Sequence, residues 1–150
     1  MKIFIGADHR GYSFKRKIVA ILNAQGHEVV DMGTQDSAVS CDYPKIAFKV
    51  ATEVARLKNV RGILLCMSGI GQTMAANKVR GAYAALCYNV RSAALSRQHN
   101  NANILVLGAK FVDPKDLSKI LRTWLNTAFE GGRHQRRINQ IKKIEKGLKI

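Results

Sequence analysis

Five short apolar runs, each followed by a stretch with helical spacing, constrain this chain more than any other feature. The runs cover residues 2–7, 27–32, 62–66, 82–87 and 103–108. Between them, apolar residues recur three or four positions apart, as in Phe14, Ile18, Ile21 and Leu22 or Ala47, Val50, Ala51, Val54 and Leu57. Strands apolar on both faces, alternating with helices, predict a parallel sheet covered on both sides. The expected fold is an α/β, Rossmann-like three-layer α/β/α sandwich with a five-stranded parallel sheet. Gly26 is the expected stop of the first helix, and Pro44 suits the first turn of the second. Further helices are expected after Gly71, over residues 90–98, and from Asp113-Pro114, where a cap residue precedes a proline. That last helix presents Leu117, Ile120, Leu121, Trp124 and Leu125 on one face. A basic helix over about residues 133–147 ends the chain, with Ile138, Ile141, Ile144 and Leu148 along one side. Residues 1–150 read as one domain.

Composition removes several classes of function. Hydrophobic residues make up 47% of the chain, too many for a disordered segment. No apolar run is long enough to span a membrane, and the N-terminus is charged too soon for a secretory signal. A cytoplasmic protein is expected. Cys41, Cys66 and Cys87 are odd in number and form no CxxC, which argues against a disulfide framework or a zinc site. The four histidines are scattered, so no metal cluster is expected. The net charge of +15 is unusual and thickens from Arg133 to Lys149. It implies attraction to anions, either nucleic acid or phosphorylated metabolites. A solvated basic surface explains most of it more simply.

The richest local pattern is Cys66-Met-Ser-Gly-Ile-Gly-Gln-Thr-Met. A thiol ends an apolar strand and a small-residue turn opens a helix. Such a turn aims N–H groups at one point, where the helix dipole favours negative charge. A thiolate and a substrate oxyanion both gain there, and the thiol's pKa is expected to fall. The plain alternative for Cys66 is core packing. Gly69-Ile-Gly71 is no dinucleotide fingerprint, because Met74 stands where a third glycine belongs. No Walker phosphate loop occurs. Ligands of open α/β sheets bind beyond the strands' carboxyl ends. Asp8-His9, Cys66 to Gly71, His99-Asn100 and Lys110 are expected there. His99 can exchange protons near neutral pH. Arg133 and Arg137 lie four apart on one helix face and suit a phosphate. Arg136 reads as solvated surface.

Asp8-His-Arg-Gly11, Asp42-Tyr-Pro44, Cys66 to Gly71, Ala75-Ala-Asn-Lys78, Ser96-Arg-Gln-His-Asn100 and Gly131-Gly-Arg-His134 together resemble the ribose-5-phosphate isomerase B family. Its wider group includes galactose-6-phosphate and allose-6-phosphate isomerases. The matched blocks run in family order over nearly the whole chain. The resemblance implies an aldose–ketose isomerase of the pentose phosphate pathway, interconverting ribose 5-phosphate and ribulose 5-phosphate. It implies no metal or organic cofactor. It also implies a homodimer, or a dimer of dimers, in which the neighbouring subunit completes each site.

By the same resemblance Cys66 is the base moving a proton between C2 and C1. His99 is the acid that opens the sugar ring, with Asp8 and Tyr43 near the ring hydroxyls. Met67, Ser68, Gly69, Ile70 and Gly71 form the anion hole, aided by the Ser68 hydroxyl. Asn100 binds a substrate hydroxyl, and His9, Lys110, Arg133 and Arg137 hold the phosphate. Three positions depart from the pattern. Met67-Ser68 replaces a common Gly-Thr. Lys110 replaces a common arginine and loses its bidentate fork. Gln72 stands where a branch lacking the cysteine uses glutamate. The alternative substrates are allose 6-phosphate and galactose 6-phosphate. The alternative from a different class is a basic nucleic-acid-binding protein, although no helix-turn-helix, zinc-finger or aromatic RNA-binding signature occurs.

Overall fold

The computed structural model describes all residues, 1–150. Its five strands are β1 (Lys2–Ala7), β2 (Glu28–Asp31), β3 (Val60–Cys66), β4 (Ala84–Cys87) and β5 (Ile104–Gly108). Six helices alternate with and follow them: α1 (Tyr12–Ala24), α2 (Tyr43–Arg56), α3 (Ile70–Ala76), α4 (Val90–Gln98), α5 (Leu117–Asn126) and α6 (Gly132–Glu145). The sheet is wholly parallel, in the order β2-β1-β3-β5-β4. The predicted three-layer α/β fold is therefore correct.

Strand parity divides the interior into two cores. Ile3, Ile5, Ile63, Leu65, Leu105 and Leu107 pack against Ile18 of α1, Ala93 of α4 and Ile120 and Trp124 of α5. Phe4, Leu64, Ile104 and Val106 pack against Val50 and Val54 of α2 and Ala76 of α3. By the same alternation Asp8 and Cys66 emerge on the α2–α3 side. Parity thus brings a carboxylate and a thiol to one face.

Element ends depart from the sequence reading where local hydrogen bonds outweigh composition. Strand β3 begins two residues before Gly62, whereas β4 begins two residues after Ala82. Helix α3 starts at Ile70, ahead of Gly71, because Gly69 turns the chain at φ +85° and caps it. Asp113-Pro114 forms a turn rather than the helix start. The Asp113 carboxylate accepts from the Lys115 N–H at 2.9 Å, and α5 begins at Leu117. Leu148 lies outside α6. Gly147, at φ +69°, ends that helix, and the Leu148 N–H donates back to the Lys143 carbonyl at 2.9 Å. No helix is long and apolar enough to cross a membrane.

Candidate active site

Cys66 sits at the carboxyl end of β3 and is 6% exposed. Its Sγ accepts the Gly69 N–H at 3.0 Å. The N–H groups of Ser68 and Gln72 also face it. These donors are available because the first turn of a helix lacks intrahelical acceptors. Even so, the thiol's pKa lies above the ordinary cysteine value. Burial is the largest cause, the Gly69 N–H pulls it back, and the Asp8 carboxylate pushes it further up. The expected lowering does not occur. Desolvation of a thiolate beside a carboxylate outweighs three N–H donors at a seven-residue helix.

The rest of this edge is built around that thiol. Asp8, 6% exposed, accepts the Gly11 N–H at 2.9 Å, which fixes the turn after β1. His9 accepts the Cys41 N–H on Nδ1 at 3.3 Å, which makes Nε2 the protonated nitrogen of the neutral ring. The Tyr43 ring lies against Gly71, where a Cβ would come within 2.5 Å of it. The Ser68 hydroxyl accepts the Ile70 N–H at 3.4 Å. The Lys110 N–H donates to the Met67 carbonyl at 3.1 Å, closing the loop from behind. The Met67 side chain points outward and is 45% exposed, so its bulk does not fill the loop. Gln72 is fully buried, and its amide nitrogen donates to the Leu65 carbonyl at 2.7 Å.

His99 and Asn100 are not at this edge. Helix α4 returns antiparallel to the strands, so its C-terminus reaches the amino end of β5. Cys66 pairs with Gly108 at one end of β5, and Gly62 pairs with Ile104 at the other. The four intervening steps are about 13 Å of strand. His99 and Asn100 lie beyond Ile104, which places them on the opposite edge from the thiol. The Gln98 carbonyl accepts the Glu130 N–H at 3.1 Å and brings the start of α6 to the same edge. Arg133 and Arg137 are exposed there. The sequence-predicted residues thus form two groups. Asp8, His9, Tyr43, residues 67–71 and Lys110 surround Cys66. Asn100, Arg133 and Arg137 accompany His99.

The second group contains two residues that sequence reasoning left without a role. The His134 ring stacks on His99 with centroids 4.2 Å apart and planes 6° apart. One oxygen of Glu130 lies 3.8 Å from His99 Nε2 and 3.5 Å from His134 Nε2. The fold therefore gathers histidines that are scattered in sequence. The ligand atoms of His99, Glu130 and His134 all lie within 4.8 Å of one another, close enough to share an ion. Arg133, whose Nε is 3.5 Å from His134 Nε2, makes an anion the better occupant of that surface. The i, i+4 spacing of Glu130 and His134 was the available signal for their proximity.

Residues 3–141 match the ribose/galactose isomerase family. A Mycoplasma genitalium protein, probable ribose-5-phosphate isomerase B, is 46% identical over 145 residues, spanning 96% of this chain and 95% of the relative. The solved ribose-5-phosphate isomerase B of Clostridium thermocellum superposes with a TM-score of 0.93 at 46% identity, covering 98% of this chain and 99% of that one. The Mycoplasma genitalium enzyme, solved with bound ribulose-5-phosphate, gives 0.92 at 45% identity, covering 97% and 96%. Match length, identity and fold agree over nearly the whole chain, which belongs to the ribose/galactose isomerase family.

Proposed function

We propose that this protein is an aldose–ketose isomerase that interconverts ribose 5-phosphate and ribulose 5-phosphate. The observation that carries the proposal is Cys66, a thiol ringed by backbone donors at a strand end, in a chain that shares the fold of a ribulose-5-phosphate-bound relative. An aldose must open before its C2 proton is acidic. His99, as imidazolium, gives its proton to the ring oxygen as the C1–O bond breaks, and Asp8 takes the proton of the anomeric hydroxyl. The Cys66 thiolate then removes the C2 proton. The resulting cis-enediolate carries its charge toward the N–H groups of residues 67–71. The hydroxyl proton on O2 passes to O1, with the Ser68 hydroxyl within the same loop to relay it. Cys66 returns its proton to C1, leaving the C2 ketone. His9, Lys110, Arg133 and Arg137 hold the phosphate, and this remote binding positions the reacting carbons. Tyr43 and Asn100 take sugar hydroxyls.

A single chain keeps the two groups on opposite edges, so the working site combines Cys66 of one copy with His99 of another. Apolar side chains exposed near Cys66 support such an assembly. Ile70 and Met74 lie one turn apart on α3, at 54% and 64% exposure, with Phe48 of α2 at 60%. A homodimer is the smallest closed assembly that completes both sites. Conversion of ribose 5-phosphate by purified protein, with a chelator present and with allose and galactose 6-phosphates alongside, tests the assignment. Chelator-resistant turnover of the pentose above both hexoses is expected. Turnover of a hexose alone reassigns the substrate, and silence on all three rejects the isomerase.

A further inference from the structure

We propose that Glu130 and His134 are positioning residues for His99: the shared carboxylate holds its Nε2, and the stacked His134 ring fixes its plane, leaving Nδ1 for the sugar. The proposal rests on His99 being the ring-opening acid. The geometry is carried by three elements. His99 ends α4 and is half-exposed, so nothing in its own helix fixes its ring. His134 is 5% exposed and anchored in the first turn of α6, so it is the rigid member of the pair. Glu130 precedes α6 and is tied by its N–H to the last turn of α4.

Charge gives this arrangement a direction. Two rings stacked 4.2 Å apart disfavour being cationic together. His134 is the one held neutral: burial lowers its pKa, and His99, Arg133 and Arg137 lower it further against the opposing effect of Glu130. Beside His99 itself, the Glu130 carboxylate supplies the negative charge. The carboxylate thus favours a proton on His99 Nε2. After the imidazolium donates from Nδ1, the neutral ring remains in the Nε2–H form, the tautomer that the Glu130 oxygen 3.8 Å from Nε2 favours.

The test separates ring opening from proton transfer. Ribulose 5-phosphate is acyclic, so exchange of its C1 proton with solvent deuterium needs Cys66 but no ring-opening acid. Glu130→Gln and His134→Ala are each expected to slow turnover of ribose 5-phosphate by about 10- to 100-fold. Both should leave C1 exchange and KM within about 2-fold. His134→Phe, which keeps a stacking ring, should recover most of the lost turnover. ¹⁵N NMR of the neutral protein should find the His99 proton on Nε2, and Glu130→Gln should erase that preference. Parallel loss of exchange and turnover, or wild-type turnover in both variants, overturns the proposal. His99→Ala is the control for the reading beneath it. Full turnover in that variant removes His99 as the acid. A split in His99→Ala that is absent from Glu130→Gln and His134→Ala removes only the positioning role.

Discussion

Cys66 occupies a position with opposing demands. In the proposed mechanism its proton must leave before C2 is deprotonated, yet burial and Asp8 both favour the neutral thiol. The N–H groups of Gly69, Ser68 and Gln72 oppose them, and in the proposed mechanism this loop also receives the enediolate oxygen. The donors that would stabilise the intermediate therefore also favour the thiolate, and burial with Asp8 is what restrains the resting thiol from full ionisation. Two outcomes follow at this scale. Cys66→Ala should abolish isomerisation while leaving circular dichroism and inorganic phosphate binding nearly unchanged; substantial residual turnover would reject Cys66 as the base. Asp8→Asn should speed alkylation of Cys66 by iodoacetamide near pH 7. The sign is fixed because the carboxylate raises the thiol pKa, so a neutral amide lowers it and enlarges the thiolate fraction. Asparagine still offers an oxygen to the Gly11 N–H, so the turn survives. Equal or slower alkylation would mean that Asp8 does not act on the thiol through charge.

Helix α3 is the element on which the Cys66 half of the site depends. Seven residues are too few for a helix to persist alone, so its geometry is imposed by neighbours. Gly69 turns at φ +85°, and a Cβ there would come within 2.4 Å of Leu86 Cδ1. Gly71 admits the Tyr43 ring, which belongs to the first residue of α2. Gly71→Ala is therefore expected to displace Tyr43 and raise KM about 10-fold or more, a loss of roughly 1.4 kcal/mol or more in substrate binding. Its thermal melting should change little, because the displaced ring is 39% exposed. An unchanged KM would remove Tyr43 from the substrate's surroundings. The elements themselves were legible in sequence: apolar runs gave the strands, and the stripe Leu117, Ile120, Leu121 and Trp124 gave the face of α5 that is buried. Their ends were less legible. Whether Asp113 caps a helix or closes a turn depends on which N–H groups its carboxylate meets, and composition alone does not determine that.

For the whole molecule, the decisive fact is the return direction of α4. Adjacency to β5 in sequence suggested that His99 joins Cys66, but a helix crossing back over a parallel sheet delivers its C-terminus to the strands' amino edge. Chemistry could be read from the residue types, whereas its division between two edges required the path of the chain. The same division explains why a basic α6, Gly132–Glu145, is more than a solvated tail: its first turns carry Arg133, His134 and Arg137 beside His99. If a second copy completes each site, Cys66→Ala and His99→Ala should each be nearly inactive alone yet complement one another. Mixing equal amounts, dissociating and reassociating them gives half the dimers as heterodimers. Each heterodimer holds one site with both defects and one with neither. Recovery of about a quarter of wild-type activity is therefore expected. Sedimentation should find the mixture dimeric, and Met74→Glu, which sets a charge on the exposed face of α3, should yield monomers without turnover. No recovery on mixing, from variants that demonstrably exchange subunits, would place Cys66 and His99 in one chain's site and overturn the shared arrangement.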